Sequence, residues 1–314
     1  MKTFGRLIFF SIIGTYLVIL AGAVVRGTGS GLGCPDWPTC FGQWVPPTDI
    51  SQLPANYKEL YKISGKTIAD FEAFKTWTEY INRLLGVILG FLMVLLFGYS
   101  FKVKNLDRSL PWFCGGLLLL ILIQGGVGAL VVSTHLKPFM ITIHMLLAVL
   151  LLFGLIYLQK YFKDLEHTGL EPIQDKKAQL LTKVLVGLTF FQVMLGTQVR
   201  QQVDHFTRDT LMATQETIIS FLGSSFYIHR TFSILIVGFF IYLLMYLKKN
   251  LLRKAFGLAM FAFLCVLANV VSGIALNYFS FPTNAQPPHL FFGVMTLGLL
   301  YTLHLNLKGS LLGE

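Results

Sequence analysis

The chain has 314 residues, 54% hydrophobic and 13% charged, whereas a soluble domain is about a quarter charged. Apolar runs of bilayer-spanning length recur along it, which excludes a soluble globular domain, and the short alternating segments of a membrane barrel are absent. The net charge of +10 makes no nucleic-acid surface, because 15 of the 25 Lys and Arg (Lys2, Arg6, Lys102, Lys104, Arg108, Lys176 and Lys248 among them) fall at one set of helix ends, the signature of cytoplasmic ends in a polytopic membrane protein.

In chain order, the first span is predicted over roughly 5–26. Lys2 and Arg6 precede it, and Ala21-Gly22-Ala23 imitates a signal-peptidase site. Gly22-Ala-Val-Val-Arg26 has a later counterpart in Gly196-Thr-Gln-Val-Arg200, which favours a retained helix. Residues 27–77 form a long outer loop. Its run Gly27-Thr-Gly-Ser-Gly-Leu-Gly33 lacks the Gly-Lys-Ser/Thr ending of a phosphate loop and follows a membrane helix, so its glycines are read as turns. The mixed stretch Asn56 to Thr76 is expected to be an interfacial helix.

Further spans are expected near 78–101, 110–132, 139–159, 179–199, 226–247, 254–277 and 287–307. The polar segment 161–178 joins two halves, 1–160 and 179–314. A second polar outer loop, 200–225, carries Asp204, Arg208, Asp209 and Glu216. Eight spans put both termini in the cytoplasm. The fold class is all-α: eight transmembrane helices as two pseudo-symmetric four-helix bundles. Cys34 and Cys40 lie in the first outer loop, where the oxidising side allows a disulfide, with two free thiols as the alternative. Cys114 and Cys265 lie inside apolar runs as small core residues.

The halves repeat. Tyr80-Ile-Asn-Arg83 returns as Tyr227-Ile-His-Arg230, at an offset of 147. Gln124, Gly128 and His144 return as Asn269, Gly273 and His289, at an offset of 145. The glycines are read as allowing close helix approach. Of the seven histidines, His135, His167 and His205 fall in loops and His304 near a cytoplasmic end. His144, His229 and His289 each lie a turn or so inside the outer face of an inward-running helix, where an ionisable residue points to function. The alternative is a hydrogen-bonded packing histidine.

Two imidazoles facing across a bundle suit axial ligation of haem iron. His229 and His289 then hold a bis-His haem b, and Arg200 and Arg230 meet its propionates or, alternatively, anchor helix ends. In the first half His144 stands at the His289 position, but its partner position is Asn82. Glu79 lies three residues before Asn82 and four before Arg83, so it is either a proton-handling carboxylate beside a substrate or one half of a surface ion pair.

At these residues the chain resembles the haem A synthase family. The likeness rests on Thr28-Gly-Ser-Gly-Leu-Gly-Cys-Pro-Asp-Trp-Pro-Thr-Cys40, on Glu79…Arg83 and on the histidines of the fourth, sixth and eighth spans. The resemblance implies an oxidoreductase that converts a ring methyl of haem O to the formyl of haem A for cytochrome oxidase, in a bacterial-type plasma membrane. It implies Glu79 as the catalytic carboxylate, a Cys34–Cys40 disulfide, His144 with Asn82 and Arg83 around the substrate, and His229 with His289 on haem b. Partners would be haem O, an unidentified electron donor, haem O synthase, oxidase assembly proteins and a second copy of the chain. There are two departures: Asn82 stands where many members carry histidine, and residues 200–225 lack a second cysteine pair. The rival readings are a di-haem cytochrome b-like quinol oxidoreductase and a non-enzymatic haem carrier. A haem O synthase is disfavoured, since no Asp-rich diphosphate motif occurs.

Overall fold

The computed structural model of the protein describes residues 1–166, 175–209, 215–279 and 281–311. Its helices in chain order are α1 (Lys2–Gly27), α2 (Tyr57–Leu60), α3 (Ala73–Val103), α4 (Leu110–Ser133), α5 (Pro138–Leu165), α6 (Lys176–Asp209), α7 (Gln215–Lys249), α8 (Arg253–Tyr278) and α9 (Gln286–Lys308). All but the four-residue α2 contain a stretch long and apolar enough to cross a membrane, eight among the described residues. The protein is a multi-pass helical membrane protein.

The spans α1, α4 and α9 are apolar all round, so packing rather than amphipathicity decides which of their faces turns inward. On α1 the buried positions Phe4, Ile8, Ile12, Thr15, Ile19 and Ala23 follow the helical repeat, while Phe9, Phe10, Ile13 and Leu17 stay exposed for lipid. Lipid tails are as apolar as leucine, so close fit and hydrogen bonds hold such helices together.

Two compact units result, Met1–Leu151 and Leu152–Glu314, with the division inside α5. In the first, α1 packs on α3 and α3 on α4. Gly14 of α1 lets Leu89 of α3 approach: a methyl there would meet it at 3.1 Å. In the second, α6 packs on α7, α7 on α8, α8 on α9 and α9 back on α6, a closed ring of four helices. Its core sets Leu185, Phe240, Leu243, Leu247, Leu300 and Leu303 around the small Ala255, Ala259 and Ala262. The inner end of α5 is tied to the segment after α9. Lys160 pairs with Asp164, each 8% exposed. Lys160 Nζ also donates to Gly309 O at 3.0 Å, and Leu311 N to Asp164 Oδ2 at 2.9 Å.

Three expectations need correction. The second membrane helix begins at Ala73 rather than near 78. The interfacial helix over 56–76 does not form: ahead of α3 only Tyr57–Leu60 is helical there, the chain turns at Ser64 and Gly65 with positive φ, and Tyr57, Tyr61 and Phe71 pack on Phe41 instead of facing lipid. The segment 200–225, expected to be a loop, is largely helical. An Arg200–Asp204 pair one turn apart, 2.6 Å, lies along the extension of α6, and α7 starts at Gln215 and bends at Gly223, whose φ of 56° glycine adopts without strain. His205 therefore lies within α6, while its side chain and those of Arg208, Asp209 and Glu216 lie outside the described residues, as do His167 and the rest of 167–174 in the 161–178 joint. His135 sits in the α4–α5 turn. His304, in α9, lies 3.3 Å from Thr182 Oγ1.

Replacing Asp164 by Ala leaves a buried ammonium with one carbonyl partner, and is expected to cost about 3–5 kcal/mol. A joint Lys160→Met, Asp164→Leu replacement should cost far less, because it removes both charges. Thermal unfolding in detergent measures both.

Candidate functional site

The first turns of α3 form a rack for the long loop. Residues 76, 77, 79, 80 and 83 recur at three- and four-residue spacing and so share one side of the helix. Thr76 Oγ1 donates to Gly33 O at 2.9 Å, Trp77 Nε1 to Pro47 O at 3.2 Å, and Tyr80 Oη to Trp44 O at 2.7 Å. Arg83 does most. Its Nη1 donates to Asp36 O at 2.6 Å and Thr39 O at 3.0 Å, and its Nη2 to Cys34 O at 2.9 Å and Glu79 Oε1 at 2.6 Å. The other oxygen of Glu79, Oε2, accepts the Cys34 N–H at 3.0 Å. Glu79 is 3% exposed, so both oxygens need these partners: an unpaired carboxylate at that depth is costly.

The loop held on this rack has a core of its own. Cys34 and Cys40 form a disulfide. The Asp36 carboxylate accepts from Phe41 N at 2.5 Å, Gly42 N at 2.9 Å and the Thr39 hydroxyl. The Phe41 ring meets Tyr57, Tyr61 and Phe71 edge-on. Gly33 passes so close to α3 that a methyl there would lie 2.5 Å from Lys75 O, leaving no room for a side chain.

Three residues after Glu79, Asn82 keeps its Oδ1 buried without a hydrogen-bond partner. Nearby, Gly22 of α1 would bring a methyl to 3.8 Å from it, an ordinary contact. His144 lies on α5, and its main-chain carbonyl accepts from Gln124 Nε2 of α4 at 2.9 Å. In the second unit the rings of His229 (α7) and His289 (α9) have centroids 6.2 Å apart. His289 Nδ1 lies 2.9 Å from Asn269 O. A carbonyl only accepts, so Nδ1 carries the hydrogen and Nε2 offers a lone pair. The His229 carbonyl accepts from Gln192 Nε2 at 2.8 Å, and that of His289 from Asn269 Nδ2 at 2.7 Å.

The donor set in the second unit suits a haem iron. His229 and His289, with ring centres 6.2 Å apart, are the residues that would hold such a group. Among the described residues no group of three or more His, Cys, Asp or Glu gathers for a bare metal ion, and a planar cofactor that brings four donors of its own needs only two more. Arg200, expected near such a group, is paired with Asp204. Arg230 is exposed and stacks over Phe226 and Tyr227. Arg83, expected to bind substrate, has its guanidinium taken up by the loop and Glu79.

Sequence reasoning passes over Gln192, Thr76, Asp36 and Ser272, whose hydroxyl lies 3.2 Å from His289 Nδ1. Gln192 carries a signal: it stands four residues before Gly196, as Gln124 does before Gly128 and Asn269 before Gly273.

These features define a multi-pass helical membrane protein in which two histidines, His229 and His289, lie close together between helices. The chain belongs to the COX15-CtaA family, described as cytochrome oxidase assembly protein, whose model matches residues 5–301. It is 34% identical over 193 residues to a Heme A synthase of Shewanella oneidensis, covering 59% of this chain and 53% of that one. It is 31% identical over 193 residues to one of Azorhizobium caulinodans, covering 57% and 54%. It is 32% identical over 145 residues to one of Nitrosospira multiformis, covering 42% and 40%. The chain spans about half the length of the curated relatives it matches.

Arg83→Met removes three loop carbonyl contacts and the Glu79 partner, each hydrogen bond from a charged group being worth about 1.5–3 kcal/mol. Limited proteolysis at Lys58, Lys62 and Lys66 should quicken at least roughly tenfold as the loop opens. Gly33→Ala should do the same by steric means.

Proposed function

We propose that the protein is a haem A synthase: an oxidoreductase that carries a ring methyl of haem O to the formyl of haem A for cytochrome oxidase. The observation that carries the reading is the asymmetry between the units. One has two imidazoles with ring centres 6.2 Å apart. The other has His144 on α5 and a buried carboxylate, Glu79, under a disulfide-closed loop. Family membership and the names of the relatives point the same way.

In this reading residues 179–314 hold haem b between His229 and His289, with Arg200 and Arg230 toward its propionates. Bound there, haem b would supply electron transfer. Residues 1–160 receive haem O as substrate. His144 holds its iron, and Asn82 lies on the opposite side, offering an amide where a second imidazole would stand. Each of the two hydroxylations would consume one dioxygen, two electrons from the donor and two protons, one oxygen atom entering the methyl C–H bond as a hydroxyl and the other leaving as water; the resulting hydrate then loses water to give the formyl group.

Glu79 handles the protons of those steps. Its Oε1 is held by Arg83, so Oε2, with only a backbone N–H on it, is the atom that takes and returns a proton. Arg83 and the Cys34 amide fix the carboxylate, which makes Arg83 a positioning residue here rather than a substrate contact. The loop shields that carboxylate from water. The lysine-rich helix ends face the cytoplasm of a bacterial-type plasma membrane. The electron donor, a haem O synthase, oxidase assembly proteins and a second copy of the chain are the expected partners.

Two measurements test this. Haem extraction and mass analysis after expression with a haem O supply should find haem B together with haem A or its hydroxylated precursor; haem B alone would sink the reading in favour of an electron-transfer or carrier protein. In Glu79→Gln, haem b content should hold while product falls roughly 100-fold or more, the scale of a lost general acid–base group. Reduction of the Cys34–Cys40 bond should lower activity more than haem b content, and an equal loss of both would count against a role for the loop at the substrate.

A further inference from the structure

Three histidines are presented by the same device. On α4, α6 and α8 an amide residue stands one turn before a glycine: Gln124 and Gly128, Gln192 and Gly196, Asn269 and Gly273. A spacing of four places the two on one face of their helix. At each of them the amide donates to the main-chain carbonyl of a histidine on a neighbouring helix, at 2.9 Å for His144, 2.8 Å for His229 and 2.7 Å for His289. The glycine lies under the ring of that same histidine. A methyl added to it would meet Cε1 at 3.3 Å in His144, 3.1 Å in His229 and 3.0 Å in His289.

The amide uses the second lone pair of a carbonyl already engaged in its helix, so it pins the backbone beneath the imidazole. The absent side chain leaves the ring its place. Gln124 and Gln192 each leave an Oε1 buried without a partner, a cost that a leucine of similar size avoids. These residues are kept for the donor they supply.

The fourth corner, between α1 and α3, has only part of this. Gly22 is present, but Val18 stands where the amide belongs and Asn82 where the histidine belongs. A methyl on Gly22 would press on nothing, its nearest neighbour being Asn82 Oδ1 at 3.8 Å. The donor and the ring are missing together, as expected if each serves the other.

We infer that the amide-x-x-x-glycine pair is a positioning device for iron-ligating histidines, that Gln124, Gln192 and Asn269 are its positioning residues, and that the Val18–Gly22–Asn82 corner is an open one, leaving the substrate haem a single protein ligand in His144. The inference rests on the haem reading above.

The test uses the full chain purified with its haem, read by reduced-minus-oxidised absorbance, electron paramagnetic resonance and haem-to-protein ratio. Gly196→Ala and Gly273→Ala should shift or abolish the bis-histidine low-spin signal, while Gly22→Ala leaves it as in the wild type. Gln192→Leu should weaken haem retention roughly tenfold, the scale of an outer-shell change at a metal site, with Gln192→Asn recovering part of it. In the opposite direction, Val18→Gln with Asn82→His, loaded with haem, should add a second low-spin signal stronger than that of Asn82→His alone. Wild-type signal and retention in both Gly196→Ala and Gln192→Leu would overturn the inference, as would equal second signals with and without Val18→Gln. A wild-type protein with no bis-histidine signal would instead overturn the haem reading, and the inference with it.

Discussion

A carboxylate at the edge of a membrane helix, 3% exposed, stays charged only if protein groups replace the water it has lost. Glu79 has two such groups, the Arg83 guanidinium and the Cys34 amide. Arg83 in turn has donors left over, and three loop carbonyls take them. The position of the loop, the burial of the carboxylate and the direction of its free lone pairs are therefore one problem with one solution. The guanidinium suits this task because its planar fork reaches several acceptors at once, which an ammonium on a flexible stem does not.

The two units share a plan and differ at one corner. In the second, His229 and His289 lie close together between α7 and α9, each with an amide on its main-chain carbonyl. In the first, the same seat is built once, around His144, and position 82 carries an amide three residues after a carboxylate. A scaffold that holds a group firmly on both sides suits storage and transfer of electrons. One that holds it on a single side, beside an acid–base group, suits chemistry on the bound molecule. The proposed division of labour thus comes from a change at Asn82 and Glu79 rather than from a different fold.

Much of this was legible in the sequence. Membrane burial forces long apolar runs, so the eight spans could be counted, and His144 and His289 stood out because imidazole is rare inside them. The cysteine pairing was left open between bridge and free thiols, and the bridge is present. What was not legible depended on contacts between distant residues. Arg83 reads from the sequence as a substrate contact or as half of an i,i+4 pair with Glu79; that pair is present, but nothing local shows that the carbonyls of residues 34, 36 and 39 will also arrive at it. The aromatic residues from Tyr57 to Phe71 suggested a membrane-surface helix, because their true partner, Phe41, lies far back in the chain. Residues 200–225 read as a loop because polarity was taken as the end of a helix, although polarity ends only the membrane crossing.

The loop's dependence on α3 also sets an order of events during synthesis. Residues 28–53 leave the ribosome before residues 76–83, which hold them. Until the head of α3 follows, Gly33, Cys34, Asp36 and Thr39 have none of their helix partners. The nascent loop therefore takes its final shape only when the second membrane span is delivered.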